Sequence, residues 1–136
     1  MKKILSGLLA GAIMLIISLA TGKCFQFLFP SIRLEYENPQ LFRPWTDPLM
    51  SIYFLEPFVT GVILAWLWNI VKGNIKGNTL TEKGINFGFI YWVITIPGML
   101  MSYSSFPLSP QLVFSWSATI LAQAICAGLL FSKMLK

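Results

Sequence analysis

Four long apolar runs dominate the pattern of hydrophobic and polar positions, and they cover about residues 4–29, 48–72, 79–103 and 109–135. Each run is longer than the roughly 20 residues that an α-helix needs to cross a hydrocarbon layer about 30 Å thick. We therefore predict an all-α integral membrane protein, a bundle of four transmembrane helices, in which residues 1–136 form a single membrane domain.

Three of the four runs begin with a local helix-start signal. Asp47 and Ser109 are capping residues, and each stands directly before a proline whose missing N–H costs nothing in the first helical turn. Thr79 and Glu82 have the spacing of a capping box. These signals agree with the hydropathy and predict where the last three helices start.

The first run also resembles a signal peptide, because a short basic segment precedes its apolar residues. The run nevertheless stays apolar past Cys24, which makes it long for a segment of that kind. We therefore expect it to be an uncleaved transmembrane helix.

The connections between the runs differ in length and charge. Residues 30–47 form one long polar loop, whereas residues 72–78 form a short basic turn and residues 104–108 a short uncharged turn. The long loop also contains apolar and aromatic residues that would suit a cap lying over the bundle, namely Leu34, Tyr36, Leu41, Phe42 and Trp45.

The distribution of basic residues predicts the orientation of the helices. The side that holds both termini and the basic turn carries seven of them: Lys2, Lys3, Lys72, Lys76, Lys83, Lys133 and Lys136. The other side carries three: Lys23, Arg33 and Arg43. Because basic segments stay in the cytoplasm, we expect both termini to be cytoplasmic, the long loop to face outward, and the protein to be a multi-pass protein of the plasma (inner) membrane.

The amino-acid composition is typical of a membrane-embedded chain rather than of a soluble domain. The chain is 56% hydrophobic and 11% charged, with a mean hydropathy of +0.71, whereas a soluble domain carries about 25% charged residues. The net charge is +5, but the basic residues stand singly or in pairs at the ends of apolar runs, unlike the dense patch of a nucleic-acid footprint. We expect the lipid bilayer as a partner and expect no nucleic acid.

The reactive side chains available to this chain are few. It has no His, the commonest general base and metal ligand. Cys24 and Cys126 form no CxxC pair, and the predicted topology separates them by about 25 Å, too far for a disulfide, which needs Cα atoms within about 7 Å. We therefore expect no metal site, no cofactor and no enzymatic activity.

Glu56 is the one acid well inside an apolar run, about 12 Å from the predicted outer interface at 1.5 Å per helical residue. An ionised carboxylate is expensive there, so we expect it to be neutral, paired or facing a water-filled cavity. Tyr103 and Ser115 are its candidate companions in a ligand or ion site. The alternative is a purely structural hydrogen bond.

Two prolines lie inside predicted helices near this acid. Pro57 follows Glu56 directly, and Pro97 and Gly98 lie in the outer half of the third apolar run. An internal proline removes a backbone hydrogen bond and kinks a helix. We expect kinks at Pro57 and at Pro97-Gly98, and two broken helices beside one acid would form a cavity.

Small and polar residues recur every three or four positions in each run, which places them on one helix face. Membrane helices associate through such residues, so we expect these faces to meet in the bundle interior. The residues are Gly7, Gly11, Met14, Ser18 and Thr21; Tyr53, Glu56 and Thr60; Tyr91, Thr95, Gly98 and Ser102; and Ser115, Thr119, Ala122 and Cys126.

Two functional hypotheses follow from this pattern. The first is a small structural or accessory membrane protein, a subunit or partner of a larger assembly. The second is a small transporter or channel in which Glu56 binds a cation or proton. Four helices barely enclose a pathway, so the second hypothesis also predicts a homo-oligomer.

Overall fold

The computed structural model describes residues 1–136 and is entirely helical, without strands. Four of its five α-helices are long and apolar enough to cross a membrane, and their ends fall within three residues of the predicted ends. The predicted long loop contains a further short helix, which sequence analysis missed, and a 3-10 turn precedes α3. The elements are α1 (Lys2–Leu28), α2 (Pro30–Tyr36), the 3-10 turn (Pro48–Met50), α3 (Ser51–Val71), α4 (Leu80–Ser105) and α5 (Pro110–Met134).

The three predicted helix-start signals are formed as side-chain caps. The Leu49 N–H donates to Asp47 Oδ1 at 2.9 Å, and the Glu82 N–H donates to Thr79 Oγ1 at 3.1 Å. Ser109 Oγ accepts from the backbone N–H three residues later at 3.2 Å. Each cap satisfies one of the orphan donors at a helix N-terminus, so these local signals fix where the helices begin.

The long helices are ordered in space as α3, α1, α5 and α4. Helix α1 packs against both α3 and α5, and α4 packs against α5, whereas the α3 and α4 backbones stay apart and meet through side chains such as Trp68 and Phe87. Three pairs of neighbouring long helices therefore pack along a shared interface, here called a seam. The fourth side of the bundle, between α3 and α4, is open.

Glycines allow the close approach of α1 and α3. A Cβ at Gly7 would lie 2.6 Å from Val62 Cα, and a Cβ at Gly61 would collide with the Gly7 carbonyl oxygen. Small residues at such a crossing let the backbones pack directly on each other. The predicted Gly7 and Gly11 stripe is thus an intramolecular packing face, with Gly61 as the partner that sequence analysis missed.

A second glycine seam joins α4 to α5. A Cβ at Gly88 would lie 2.6 Å from the Ala124 carbonyl oxygen, and a Cβ at Gly128 would collide with the Gly84 carbonyl oxygen. These glycines were not predicted as packing residues, although Gly84 and Gly88 have the spacing of a small-xxx-small pair.

An aromatic core fills the half of the bundle that carries Lys2, Lys72, Lys76 and Lys133, here called the basic half. Trp68 is 1% exposed, and its ring meets that of Phe87 at 5.3 Å in a T-shaped arrangement. Phe87 meets Phe131 in the same manner at 6.3 Å. Edge-to-face pairs of this kind stabilise beyond the area they bury, so this core ties α3, α4 and α5 together.

The loop of residues 30–47 lies over the opposite half, here called the cap half. Ile32 of α2 packs with Leu108 and Leu112 at the start of α5. Tyr36 and Phe42 pack against the same cluster, as the cap prediction requires, whereas Leu34 is 68% exposed. The 30–47 loop is therefore a packed lid rather than an open linker.

The internal prolines do not break their helices. Helix α3 continues through Pro57 from Ser51 to Val71, and α4 continues through Pro97 from Leu80 to Ser105. Neither helix is therefore interrupted at its proline, and the expected kinks stay predictions. A cavity arises instead from the spacing between whole helices.

Candidate functional site

A cavity of about 440 Å³ lies in the cap half, beneath the 30–47 loop and among all four long helices. Its wall includes Glu56 and Thr60 of α3, Tyr91 of α4, and Ser115 and Trp116 of α5. Helix α1 contributes further lining residues, so all four long helices form part of the wall. The cavity is therefore a product of helix order rather than of any local motif.

Glu56 is the acid of this cavity. Thr60 lies one helical turn later on the same face of α3, and its Oγ1 donates to Glu56 Oε1 at 2.5 Å. Both ion pairs of the structure lie elsewhere, in the segment of residues 33–47. The Glu56 side chain is exposed to the cavity, with a hydroxyl as its hydrogen-bond donor and no neutralising basic side chain.

Hydrogen bonds across the bundle hold the cavity wall in place. Ser18 Oγ and Tyr53 Oη share a hydrogen bond of 2.8 Å between α1 and α3. The Gln123 amide, buried on α5, donates from Nε2 to the Met14 carbonyl oxygen of α1 at 2.8 Å. A buried amide that finds a backbone acceptor avoids the penalty of an unsatisfied polar group. These two contacts fix the positions of α1, α3 and α5 around Glu56.

The three predicted site residues are not all brought together. Ser115 lies in the wall, as Glu56 does, but its Oγ donates to the Leu112 carbonyl oxygen at 2.6 Å. Tyr103 lies near the end of α4, is 47% exposed and does not line the cavity. Thr60 and Tyr91 take the places near Glu56 that sequence analysis assigned to Tyr103.

The residues predicted to kink α3 and α4 lie in different surroundings, and none of them lines the cavity. Pro57 is buried, and its carbonyl oxygen lies 2.8 Å from where a Cβ on Gly11 would be. Pro57 therefore belongs to the seam between α1 and α3. Neither Pro97 nor Gly98 lines the cavity, and a Cβ at Gly98 would meet nothing within 4 Å.

Aromatic side chains make up much of the remaining wall, with Tyr53, Tyr91 and Trp116 among them. The Trp116 Nε1–H donates to Tyr36 Oη at 2.7 Å, which joins the wall to the lid. Burial raises the pKa of the Tyr36 phenol above its usual value of 10.0, and the hydrogen bond from Trp116 offsets part of that rise. Tyr36 therefore stays neutral at physiological pH.

A basic side chain borders the cavity at the lid. Arg43 lines it, and the Arg43 guanidinium donates from Nη1 to Asp47 Oδ2 at 3.0 Å. The pKa of Asp47 is lowered from 3.8, mainly by the Leu49 backbone N–H and then by Arg43. The charge of Arg43 is thus balanced by Asp47 at the lid, and Glu56 supplies the negative charge of the interior.

Two parts of the site were missed by sequence analysis. The Gln123 amide carried a signal, because an amide inside an apolar run must find a partner. The sequence gives no such signal for Trp116, since a tryptophan in an apolar run can equally anchor a helix at a membrane interface. Thr60 and Tyr91 were placed on interior faces but not beside Glu56, because hydropathy does not tell which helices become neighbours.

The cavity is lined by one carboxylate, hydroxyls, the Gln123 amide and aromatic rings, with the Arg43 guanidinium at the lid. Nowhere in residues 1–136 do three His, Cys, Asp or Glu side chains lie together in a way that could hold a metal ion. Comparisons of the chain with protein-family models, curated proteins and solved structures found no match.

Proposed function

We propose that the protein is inserted in the plasma membrane through α1, α3, α4 and α5, with both termini cytoplasmic. Support comes from the four apolar helices and from the excess of basic residues at the end that carries the termini. Reporter fusions at residue 136 and in the 30–47 loop test this orientation. The proposal requires a cytoplasmic reporter to be active at the first site and inactive at the second.

We propose further that the cavity binds a cation through Glu56 and that the protein acts as a small cation-binding carrier or transporter. The observation that carries this proposal is Glu56 itself, an acid within a span that lines a 440 Å³ cavity without an ion-pair partner. An ionisable residue in such a place is retained at an energetic cost, and facing an ion pathway is one of the usual reasons.

The wall favours an organic ammonium ion over a metal ion. Tyr53, Tyr91 and Trp116 line the cavity, and aromatic rings recognise substituted ammonium groups through cation–π contacts. One carboxylate and a few hydroxyls fall short of the six or more oxygens that calcium takes. Charge on Glu56 would fix the cationic head, and the rings would cover its apolar groups.

Equilibrium dialysis of the purified protein with radiolabelled benzyltrimethylammonium tests the proposal. Glu56→Gln should weaken binding by about tenfold or more, since a charge-assisted contact contributes about 1.5–3 kcal/mol. Glu82→Gln is the matched control, because Gln also serves at that capping position and Glu82 does not line the cavity. Equal affinity of the wild type and Glu56→Gln would overturn the proposal.

An accessory role in a larger assembly is the second candidate. The open side between α3 and α4 favours it, because no helix of this chain covers that face. The Glu56→Gln variant separates the two candidates, since an accessory protein would assemble normally and show no cation binding to lose.

A further inference from the structure

A groove of about 640 Å³ runs along the open side of the basic half, between α3 and α4. Its sides are apolar and are made by Leu67, Val71, Phe87, Ile90 and Ile94. Tyr91 stands where this groove meets the cavity, since it lines both. The groove is separate from the Glu56 site in its chemistry, because no acid lines it.

The end of this groove at the turn between α3 and α4 is polar and basic. Asn74, Lys76 and Asn86 line it there. The Asn86 amide donates from Nδ2 to the Lys76 carbonyl oxygen at 2.7 Å, which holds the turn over the groove. The Lys76 side chain is exposed and forms no ion pair.

Lys76 is the basic residue that lines the groove, and two neighbouring charged groups have other partners. Lys72 is occupied, because its ammonium donates to the Leu135 and Lys136 carbonyl oxygens at 2.8 Å. Glu82, the acid of this end, accepts from the Asn78 backbone N–H at 2.7 Å. An anionic group at the groove end would therefore meet the Lys76 ammonium, the basic group that lines the groove.

The length of the groove matches a single leaflet. On α4 its lining runs from Asn86 to Ile94, and the eight residue steps between them rise about 12 Å along the axis. Half of a hydrocarbon layer is about 15 Å. A partner helix crossing the whole membrane would need a face about twice as long, so the groove fits one acyl chain better than a helix.

We propose that this groove binds an anionic phospholipid of the cytoplasmic leaflet, with one acyl chain between α3 and α4 and its phosphate at Lys76. The inference rests on the membrane insertion and orientation of the proposed function and is independent of cation binding at Glu56. Anionic headgroups are concentrated by basic side chains at the cytoplasmic surface, and the apolar sides supply the chain with contacts.

Native mass spectrometry of the delipidated, detergent-purified protein tests this inference with added phosphatidylglycerol and phosphatidylcholine of the same acyl chains. The wild type should bind phosphatidylglycerol more tightly, and Lys76→Gln should reduce that preference about fivefold, the effect of one basic side chain near an anionic surface. Lys133→Gln is the matched control, because Lys133 lies in the last turn of α5 and does not line the groove.

A second variant tests the acyl-chain part separately. Ile90→Trp fills the groove from α4, where the side chain is 50% exposed, and should reduce the binding of both lipids. Equal affinity for the two lipids, equal effects of the Lys76 and Lys133 variants, or full binding by Ile90→Trp would each overturn the inference. Glu56→Gln should bind lipid as the wild type does. The lipid and cation proposals are therefore tested with different variants and different ligands, and either can fail without the other.

Discussion

In the basic half of the bundle Trp68, Phe87 and Phe131 stack edge to face and close the interior, whereas in the cap half the same helices surround a cavity that contains Glu56. The basic half holds most of the buried apolar residues of the core cluster. The cap half has a smaller apolar cluster around Ile32 and hydrogen bonds such as that of Gln123 with the Met14 carbonyl oxygen.

This difference shows that the aromatic core and the polar cavity lie in opposite halves of the same four helices. Within lipid, packing of small residues and aromatic contacts drives helix association more than hydrophobicity does. Such contacts accumulate in the basic half, where the Gly84–Gly128 seam also lies. The cap half is thereby free to keep a polar group and an open volume without loss of the fold.

The largest expected effect comes from removing the aromatic core. Trp68→Ala should destabilise the protein by about 3–5 kcal/mol, because it deletes a large buried ring and leaves a cavity. Unfolding by titration with sodium dodecyl sulfate measures the loss. Trp66→Ala is the control on the same helix, since Trp66 is 59% exposed; a comparable loss there would contradict the division between the halves.

Widening a glycine seam should have the next largest effect. Gly61→Val places atoms against the Gly7 carbonyl oxygen of α1 and should cost about 1–3 kcal/mol, as overpacking does. The same unfolding titration measures it. Gly98→Val should cost much less, because a Cβ there meets nothing within 4 Å, and equal costs would mean that the seam does not hold α1 to α3.

Loosening the lid should have a smaller effect that is confined to the cap half. Trp116→Phe removes the hydrogen bond to Tyr36 Oη and should cost about 1 kcal/mol. Limited proteolysis of residues 37–47 should become faster, while resistance to sodium dodecyl sulfate changes little. Unchanged proteolysis would show that the lid is held by Ile32 and its apolar neighbours alone.

The smallest effect is expected from pH at the lid. The pKa of Asp47 is lowered by the Leu49 N–H and by Arg43, so its contribution is present above its usual value of 3.8 and is lost as pH falls through the lower, folded value. Proteolysis of the lid should therefore accelerate below pH 3.8. Asp47→Asn should remove part of that acceleration, and an identical pH profile would contradict the assignment.

The extent of the four long helices could be predicted because their length, apolar runs and start signals are local properties of the chain. Asp47, Thr79 and Ser109 form the caps that their spacing predicts. Helix α2 was missed, since seven residues carry too little periodicity to distinguish a helix from a polar loop.

The site was predicted less completely than the helices. Glu56 and Ser115 line the cavity, but Tyr103 does not, because the choice of neighbour depends on the α3, α1, α5, α4 order. That order depends on which glycine faces meet, such as Gly61 against α1. A single sequence contains several such faces and does not state their pairing.

Thiol labelling tests most directly the central claim that Glu56 faces a cavity open to water and cations. In a variant with Cys24→Ser and Cys126→Ser, Glu56→Cys is treated with a trimethylammonium-bearing methanethiosulfonate, and Val59→Cys is the control, since Val59 is 50% exposed but does not line the cavity. Labelling should be fast at position 56, where benzyltrimethylammonium should slow it, and slow at position 59. Equal rates at the two positions, or no labelling at position 56, would contradict it.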